Sequence, residues 1–464
     1  MTTATPTGLL GDVITPGNPE YERARRVWNG AVDRRPAFIV RCRTAEEVSA
    51  AVQVAARHGL PLAVRGGGHS IPGLSVCDGG LVIDLGPMKD IALDGDLVHV
   101  GPGVLWRELD AKLEPHGLAV PGGEISHTGV AGLTLGGGVG WLSRAYGLAC
   151  DNLLAAEVVL ADGSVVEADA DLLWGLRGGG GNFGVVTRFS YQVHAIPVPM
   201  FAGLVLHPIS RAREGLATMR DIAAVAPDGL GLNAAMISAP PAPFVPPDLH
   251  GQSVIGLAAA HVGPHDEAAE LLRPLRQFAP PAADLFGAMP YTVLQSLFDG
   301  GVPHGMATYA RSEWLRPLDD GGIDTLVSAA EAMTSPLSQT LLRFMGGAIS
   351  RVPAGATAFR FRDAAAMVTL AAMWPEPADP GAAHTAWARD SWTALRPWSA
   401  GGGYVNHLGD EGPARVREAY GEQTWARLVA LKRRYDPTNL FTFNQNVPPD
   451  ATATGDRRRR AGLG

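Results

Sequence analysis

Cysteine is scarce in this chain of 464 residues, which holds only Cys42, Cys77 and Cys150. Their wide, irregular spacing excludes a disulfide framework and a cysteine-based zinc site, so each is expected to pack as a small apolar residue. Charge is sparse and tilted to one sign: 38 basic against 46 acidic residues give a formal net charge of -8. A surface of that sign repels polyanions and argues against nucleic acid as a partner. A small molecule is the expected partner instead. No apolar run approaches the roughly 20 residues of a membrane helix, and the opening MTTATPTGLLGDVITPG lacks the basic and apolar regions of a signal peptide. No membrane partner and a cytoplasmic location are therefore expected. GxxxxGK[ST], HExxH, CxxC and GxSxG are all missing, which removes the usual signatures of a Walker loop, metal-assisted hydrolysis and serine acyl transfer. No metal site is expected.

Glycine, by contrast, is abundant, with 58 residues, and 46% of the chain is hydrophobic. A chain of this length exceeds what one core usually organises, which points to two domains. Ala37 to Val40 reads as a strand, followed by a helix over TAEEVSAAVQVAARHG with Thr44 as N-cap, Glu47 closing a capping box and Gly59 beyond its end. Leu62 to Val64 is a second strand, so the unit predicts a parallel pair joined by a crossover. Leu81 to Leu85 and Leu97 to Val100 read as further strands, and Trp106, Leu109 and Leu113 share one helical face. A hairpin turns on Asp162-Gly163, and Val185, Thr187, Phe189, Tyr191 and Val193 alternate as in a half-buried strand. Composition shifts after Ile196-Pro197 and again after Gly401 to Gly403. These shifts predict a first domain over 1–197, a middle domain over 198–403, a C-terminal return to the first domain over 404–450, and a disordered tail over 451–464 containing Arg457 to Arg460.

Three glycine clusters precede residue 190: RGGGHS (65–70), GVAGLTLGGGVGWLSR (129–144) and RGGGGNFGVV (177–186). Each glycine loses extra backbone entropy on folding, so a compensating role is expected. Without a Cβ, successive N–H groups can converge on an anion and backbone can approach a flat ring. Three such clusters point to a large ligand with a diphosphate and a planar head. The last cluster contains GxGxxG at Gly179, Gly181 and Gly184, but a helix precedes it and a strand follows. A dinucleotide fingerprint needs the reverse order, which excludes NAD bound in that mode.

The order RGGGHS, PGG, GVAGLTLGGGVGWLSRAYGLACDNLL, LRGGGGNFGVV, YVNHLGDEG and RYDPTNLFTFNQN resembles berberine bridge enzyme-like FAD oxidoreductases of the vanillyl alcohol oxidase superfamily, from about Val27 to Pro449. The resemblance implies an α+β fold: a PCMH-type FAD-binding domain in two parts, plus a substrate domain with an antiparallel sheet backed by helices. It also implies FAD bonded to His69 through the ring's 8α carbon. Many members add a link from a cysteine, but Ile125 or Ser126 stands at that place here, so a single linkage is expected. Cys150 lies after the glycine helix and is expected to be structural. The FAD-binding residues implied are Arg65, Gly66, Gly67, Gly68, His69 and Ser70 of the first cluster, then Gly122, Gly123, Thr128, Gly129, Gly132, Thr134, Gly136, Gly137, Gly138, Gly140 and Trp141. Gly184, Val185 and Val186 follow, with Tyr404, Asn406, Asn444 and Asn446 from the C-terminal segment.

Flavin chemistry needs a substrate C–H aimed at ring atom N5 and a base for the proton. Tyr404 is the first candidate base, although an unperturbed phenol titrates near about 10 and would have to fall. His127 and Arg343 are further catalytic candidates. Thr369 occupies the strand position where berberine-type members carry a carboxylate. The tryptophans of HTAWARDSWTALRPW are expected in the core. The expected activity is oxidation of a hydroxyl or activated C–H of a small natural product or sugar, with O2 accepting the electrons as H2O2. VWNGAVDRRPAF and SHTG also resemble bacterial members of polyketide tailoring in secondary metabolism, including the flavin-dependent favorskiiase of enterocin biosynthesis. That leaves an oxygenating enzyme open as an alternative, as is a dehydrogenase with another acceptor.

Overall fold

The computed structural model describes residues 6–450 except 244, 376–379 and 410. The arginine run Arg457 to Arg460, with its expected disorder, lies outside the described residues.

Thr44 caps the helix Ala45–His58 by accepting the Glu47 N–H at 3.3 Å, and Gly59 ends it in the left-handed region at φ 62°. The box closes differently from expectation. Glu47 Oε2 takes the N–H of Arg43 at 2.6 Å rather than that of Thr44. The strands on either side of this helix, Phe38–Arg41 and Leu62–Arg65, are parallel but not neighbours, which corrects the expected pair. Leu81–Asp84 inserts between them and pairs in parallel with both, and Asp12–Ile14 closes the other edge antiparallel to Phe38–Arg41. Three apolar residues in a row, Leu81 to Ile83, with Asp84 also buried, suit a central strand covered on both faces.

A second sheet runs Ile91–Asp94, Leu97–Val100, Val185–Gln192, Leu153–Val159 and Val165–Glu167, all antiparallel. Its last two strands form the hairpin on Asp162-Gly163, with Gly163 at φ 86°. Val185–Gln192 is its central strand and is buried on both faces, not one; only Arg188 and Gln192 keep partial exposure. Trp106, Leu109 and Leu113 of the helix Trp106–Leu113 pack beneath this sheet.

The third sheet has eight strands: seven in the order Ala283–Asp284, Met200–Pro208, Ser253–His261, Leu230–Ser238, Gln339–Phe344, Ala366–Pro375 and Met306–Leu315, and Gly287–Met289, which also pairs with Met200–Pro208. Its long strands alternate with period two. Leu230, Leu232, Ala234 and Met236, with Leu342 and Phe344, and with Val368, Leu370 and Ala372, turn to a core made by the helices Ala212–Val225, Asp320–Glu331 and Ala382–Leu395. The same alternation sends Asn233, Arg343 and Thr369 to the opposite face. There Asn233 and Arg343 meet Glu124, which belongs to the glycine-rich N-terminal part. Trp387 lies in the helix-side core as expected of that tryptophan group, and Trp392 donates to Glu313 at 2.7 Å.

The C-terminal helices Pro413–Tyr420 and Glu422–Tyr435 pack Trp425, Leu428 and Leu431 against Leu172 and Trp174. Lys432 and Asp436 form a fully buried pair at 2.8 Å. The ammonium also donates to the Asn182 and Phe441 carbonyls, and the carboxylate accepts from Leu440 and Phe441. Both ions are therefore hydrogen-bonded as burial demands. The pair bends the chain so that Leu440 and Phe441 join the core under the first sheet.

Candidate active site

The strand Leu62–Arg65 ends at a guanidinium held by Asp84 at 2.7 Å and by the Ala24 carbonyl. The glycines that follow let two backbones touch. A Cβ on Gly67 would run into the Gly129 backbone, and one on Gly129 into Gly67. Among the described residues, no acceptor takes the N–H groups of Gly66, Gly67, Gly68, His69 or Ser70. Gly66, Gly67 and Gly68 border a cavity of about 880 Å³ also lined by Arg25, Arg26, Trp28 and His304. Consecutive amides without partners are rare, because each costs about as much as a lost hydrogen bond. An anion meets that requirement, and a diphosphate therefore fits this loop.

His69 stands at the end of this loop. Its Nε2 lies 2.7 Å from Nδ1 of His127, its ring stacks on Trp28 at 5.0 Å, and His304 meets it edge-on at 5.6 Å. The ligand nitrogens of His69, His127 and His304 fall within 4.8 Å of one another. Burial, then the neighbouring His127 and His304, push the His69 pKa down to about 3, so its imidazole is neutral at physiological pH. Burial also lowers His127, against the raising influence of Asp299.

A second polar group lies three residues away along the same loop. Glu124, 6% exposed, accepts from Arg343 Nε at 2.7 Å and from Asn233 at 2.9 Å. Arg343 also reaches the Thr369 hydroxyl at 3.3 Å, which in turn bonds His407 Nδ1 at 3.0 Å. His407 is held down at about 3 by burial and by Arg343, and its second ring nitrogen has no hydrogen-bond partner among the described residues. Tyr404 touches the His407 ring edge-on at 4.9 Å. Its hydroxyl oxygen accepts from Gly138 N–H at 2.8 Å and Asn406 Nδ2 at 2.9 Å, and burial pushes the phenol up to about 12.

The other residues expected at the cofactor have their own neighbours. Asn406 also donates to the Leu133 carbonyl at 2.9 Å and packs so closely on Gly136 that a side chain there would collide. Gly137 and Gly138 take φ of 127° and 87° to turn out of the helix Val130–Leu135. Gly122 lies against the Trp106 ring, Gly123 against Leu133, and Gly140 against the Gly122 and Gly123 carbonyls. The Thr128 carbonyl accepts from Trp106, Ser70 Oγ accepts from Leu74, and Gly132 faces open space. Asn444 donates to the Gly181 carbonyl at 2.9 Å, while Asn446 keeps a buried side-chain oxygen without a hydrogen-bond partner among the described residues. Thr134 bonds Tyr191 at 2.8 Å in the core, Trp141 packs on Phe298, and Val185 and Val186 pair with Val159 and Val158, the strand on which Gly184 also rests. Cys150 is fully buried, with its thiol pushed well up by burial.

Trp28, Glu124, Asn233, Asp299, His304 and His407 were not singled out in the sequence. His407 alone carried a signal, directly following Tyr404-Val405-Asn406. The others come from distant segments that only folding brings together.

An amide cradle beside a cavity, a neutral histidine at the end of the same loop and a polar sheet face joined to the glycine-rich part belong to an FAD-dependent oxidoreductase of the PCMH type. Two family models match the chain: an FAD binding domain over residues 36–169, and berberine and berberine like over residues 403–448. The chain is 31% identical over 469 residues to the (R)-6-hydroxynicotine oxidase of Paenarthrobacter nicotinovorans, covering 97% of this chain and 99% of that one. The crystal structure of 6-hydroxy-D-nicotine oxidase from Arthrobacter nicotinovorans superposes with a TM-score of 0.86 at 28% identity, over 97% of this chain and 100% of that one. A xylooligosaccharide oxidase from Myceliophthora thermophila, solved with xylobiose, gives a TM-score of 0.81 at 25% identity, over 94% and 97% of the two chains. The chain belongs to the berberine-like FAD-linked oxidoreductases. No helix of the described residues is long and apolar enough to cross a membrane.

Proposed function

We propose that the chain is an oxidase that takes hydride from a hydroxyl-bearing or otherwise activated carbon of a small natural product or sugar and passes the electrons to O2, giving H2O2, with FAD bonded to His69. The observation that carries this reading is the loop joining the two polar groups. His127 at the cradle and Glu124 at the sheet face are three residues apart, which spans at most about 10 Å of extended chain. That is the scale of a fused three-ring head, which His69, Arg343 and His407 would border. FAD supplies the two-electron acceptor when bound. The amides of Gly66 to Ser70 would hold its diphosphate, and His69 would anchor the ring.

The remaining work falls to the chain. Glu124 and Arg343 form a charge-balanced wall that offers donors and acceptors without net charge, which suits a neutral polyhydroxyl or phenolic substrate better than an acid. His407 is assigned as the acceptor of the substrate proton on its placement: Thr369 fixes the ring through Nδ1, and the second ring nitrogen has no hydrogen-bond partner among the described residues. Tyr404 stays a phenol at neutral pH because burial raises its pKa. It orients the site through Gly138, Asn406 and its own hydroxyl proton rather than serving as the base. The oxidases on nicotine and on xylooligosaccharide among the relatives support a polar organic substrate.

Oxygen uptake and peroxide release, measured with a panel of sugars, benzylic alcohols and phenolic polyketides, test the proposal. Equimolar peroxide and oxygen are expected. Label from oxygen gas found in product would move the reading to an oxygenating enzyme, and dye reduction without oxygen uptake would move it to a dehydrogenase.

A further inference from the structure

The short helix Tyr291–Gln295 follows the strand Gly287–Met289 of the third sheet and packs on the helix Trp106–Leu113 of the N-terminal part. Hydrogen bonds pin this segment at both ends. Glu114 accepts from Thr292 N–H at 3.3 Å and from the Thr292 hydroxyl at 2.8 Å, while Asp299 accepts from Ser126 N–H at 2.8 Å and from the Ser126 hydroxyl at 2.5 Å. Each helix buries two polar side chains spaced four residues apart, hence on one face: Trp106 with Asp110, and Tyr291 with Gln295. None of the four is more than 1% exposed. Asp110 Oδ1 and Oδ2, Tyr291 Oη, both polar atoms of the Gln295 amide and Trp106 Nε1 have no hydrogen-bond partner among the described residues. Each such atom costs its full desolvation, so their gathering on two packed helices calls for something bound between them. Burial, then the Glu114 carboxylate, push Asp110 well above the usual carboxylate range, and no cationic side chain offsets this. Tyr291 lies near enough for Asp110 to push its phenol further up, after burial.

We propose that Asp110, Tyr291 and Gln295 hold a monovalent metal cation, sodium or potassium, which ties the helix Tyr291–Gln295 to the helix Trp106–Leu113. The donor set is all oxygen, from a carboxylate, a phenol and an amide, and oxygen is what hard cations take. Charge then selects among them. One carboxylate among neutral donors is balanced by a single positive charge, whereas a divalent ion would leave an uncompensated charge in a dry interior. Glu114 stays outside the set, being partly exposed and already engaged by Thr292. A proton on Asp110 would neutralise the carboxylate but leave the Tyr291 and Gln295 oxygens unmet. The carboxylate has about four lone-pair sites, so it can take a donor such as the Trp106 N–H and still bind the cation. The same segment carries Asp299, whose grip on Ser126 holds the residue next to His127. The cation therefore steadies one wall of the candidate active site from outside it.

The full chain with its flavin bound, exchanged into choline chloride buffer, is melted as sodium, potassium or calcium chloride replaces choline at constant ionic strength. Sodium or potassium is expected to raise the melting temperature saturably, by roughly 5–11 °C at a hundredfold excess over the midpoint, and calcium is not. Asp110→Asn is expected to melt alike in every salt. Should that variant fail to fold, Tyr291→Phe decides: it keeps the ring, loses one ligand oxygen, and should raise the midpoint by about tenfold or more. Crystals soaked in thallium(I) acetate should show an anomalous peak between the two helices, beside Asp110. Melting that does not separate sodium and potassium from choline, a rise with calcium instead, or a rise that survives in Asp110→Asn overturns the proposal. So does a parent-like midpoint in Tyr291→Phe, or a soaked crystal with only water beside Asp110.

Discussion

Replacing Arg343 with methionine keeps most of its volume but leaves the Glu124 carboxylate, 6% exposed, with only the Asn233 amide for company. Removing one partner of a buried ion pair costs about 3–5 kcal/mol, mainly because the other charge is stranded. The pair joins the sheet face to the glycine-rich part, so the loss should register as melting of the sheet unit. For a unit of roughly 200 residues, about 2–4 °C is lost per kcal/mol, which gives a fall of roughly 6–20 °C. Glu124→Gln should fall less, because its amide still accepts from Arg343. The double variant Glu124→Gln/Arg343→Met strands no charge and should recover at least about 2 kcal/mol of the summed losses. Differential scanning fluorimetry of the four proteins, each loaded with FAD, reads all of this. An Arg343→Met protein that melts within about 1 °C of the parent, or a double variant as unstable as the sum of the singles, would refute the reasoning.

Gly67→Ala should give chain that binds little FAD, because the new Cβ meets the Gly129 backbone; absorbance of the purified protein checks this. Tyr404→Phe removes the acceptor for Gly138 and Asn406 and should lower kcat by roughly tenfold, while His407→Gln, if it removes the base, should lower it by about 100-fold or more. The reverse ranking in stopped-flow flavin reduction would return the role of base to Tyr404. His407 also sets a pH dependence. Its folded pKa of about 3 lies below the unfolded value near 6.5, so the unfolded chain binds the extra proton between these limits. The stability is present above about pH 6.5 and is lost as pH falls towards about 3, at about 1.4 kcal/mol per pH unit. His407→Gln should flatten the acid limb of the melting curve by that slope, and an unchanged limb would contradict the neutral, desolvated ring.

Local rules in the sequence foretold elements whose causes were local. Thr44 and Gly59 bracket their helix, the Asp162-Gly163 turn makes its hairpin, and Trp106, Leu109 and Leu113 pack together as one face. Long-range placement was less legible. Nothing between Phe38 and Arg65 tells that Leu81–Asp84 will insert between the two strands, since that choice is made by burial on both faces. The strand Val185–Gln192 alternates in sequence, yet Val186 and Ser190 are covered because strands flank it on both sides and helices close over it. At the site, glycine clusters made the cradle readable because an anion-binding loop is a local device. The pairing of Glu124 with Arg343, of Ser126 with Asp299, and of Thr369 with His407 joins segments tens to hundreds of residues apart, and no spacing rule reaches that far. Tyr404 was readable as a site residue, whereas its raised pKa depends on the packing of Trp314, Phe359 and Met367 around it.

His69 is the proposed point where cofactor and chain meet. Protein purified with its flavin, denatured in acid, digested and analysed by mass spectrometry gives the most direct reading. A flavin-sized addition on the peptide containing His69, carried by the imidazole and absent from the Cys150 peptide, is the expected result. Flavin released intact on denaturation, or attached to any other residue, would contradict it.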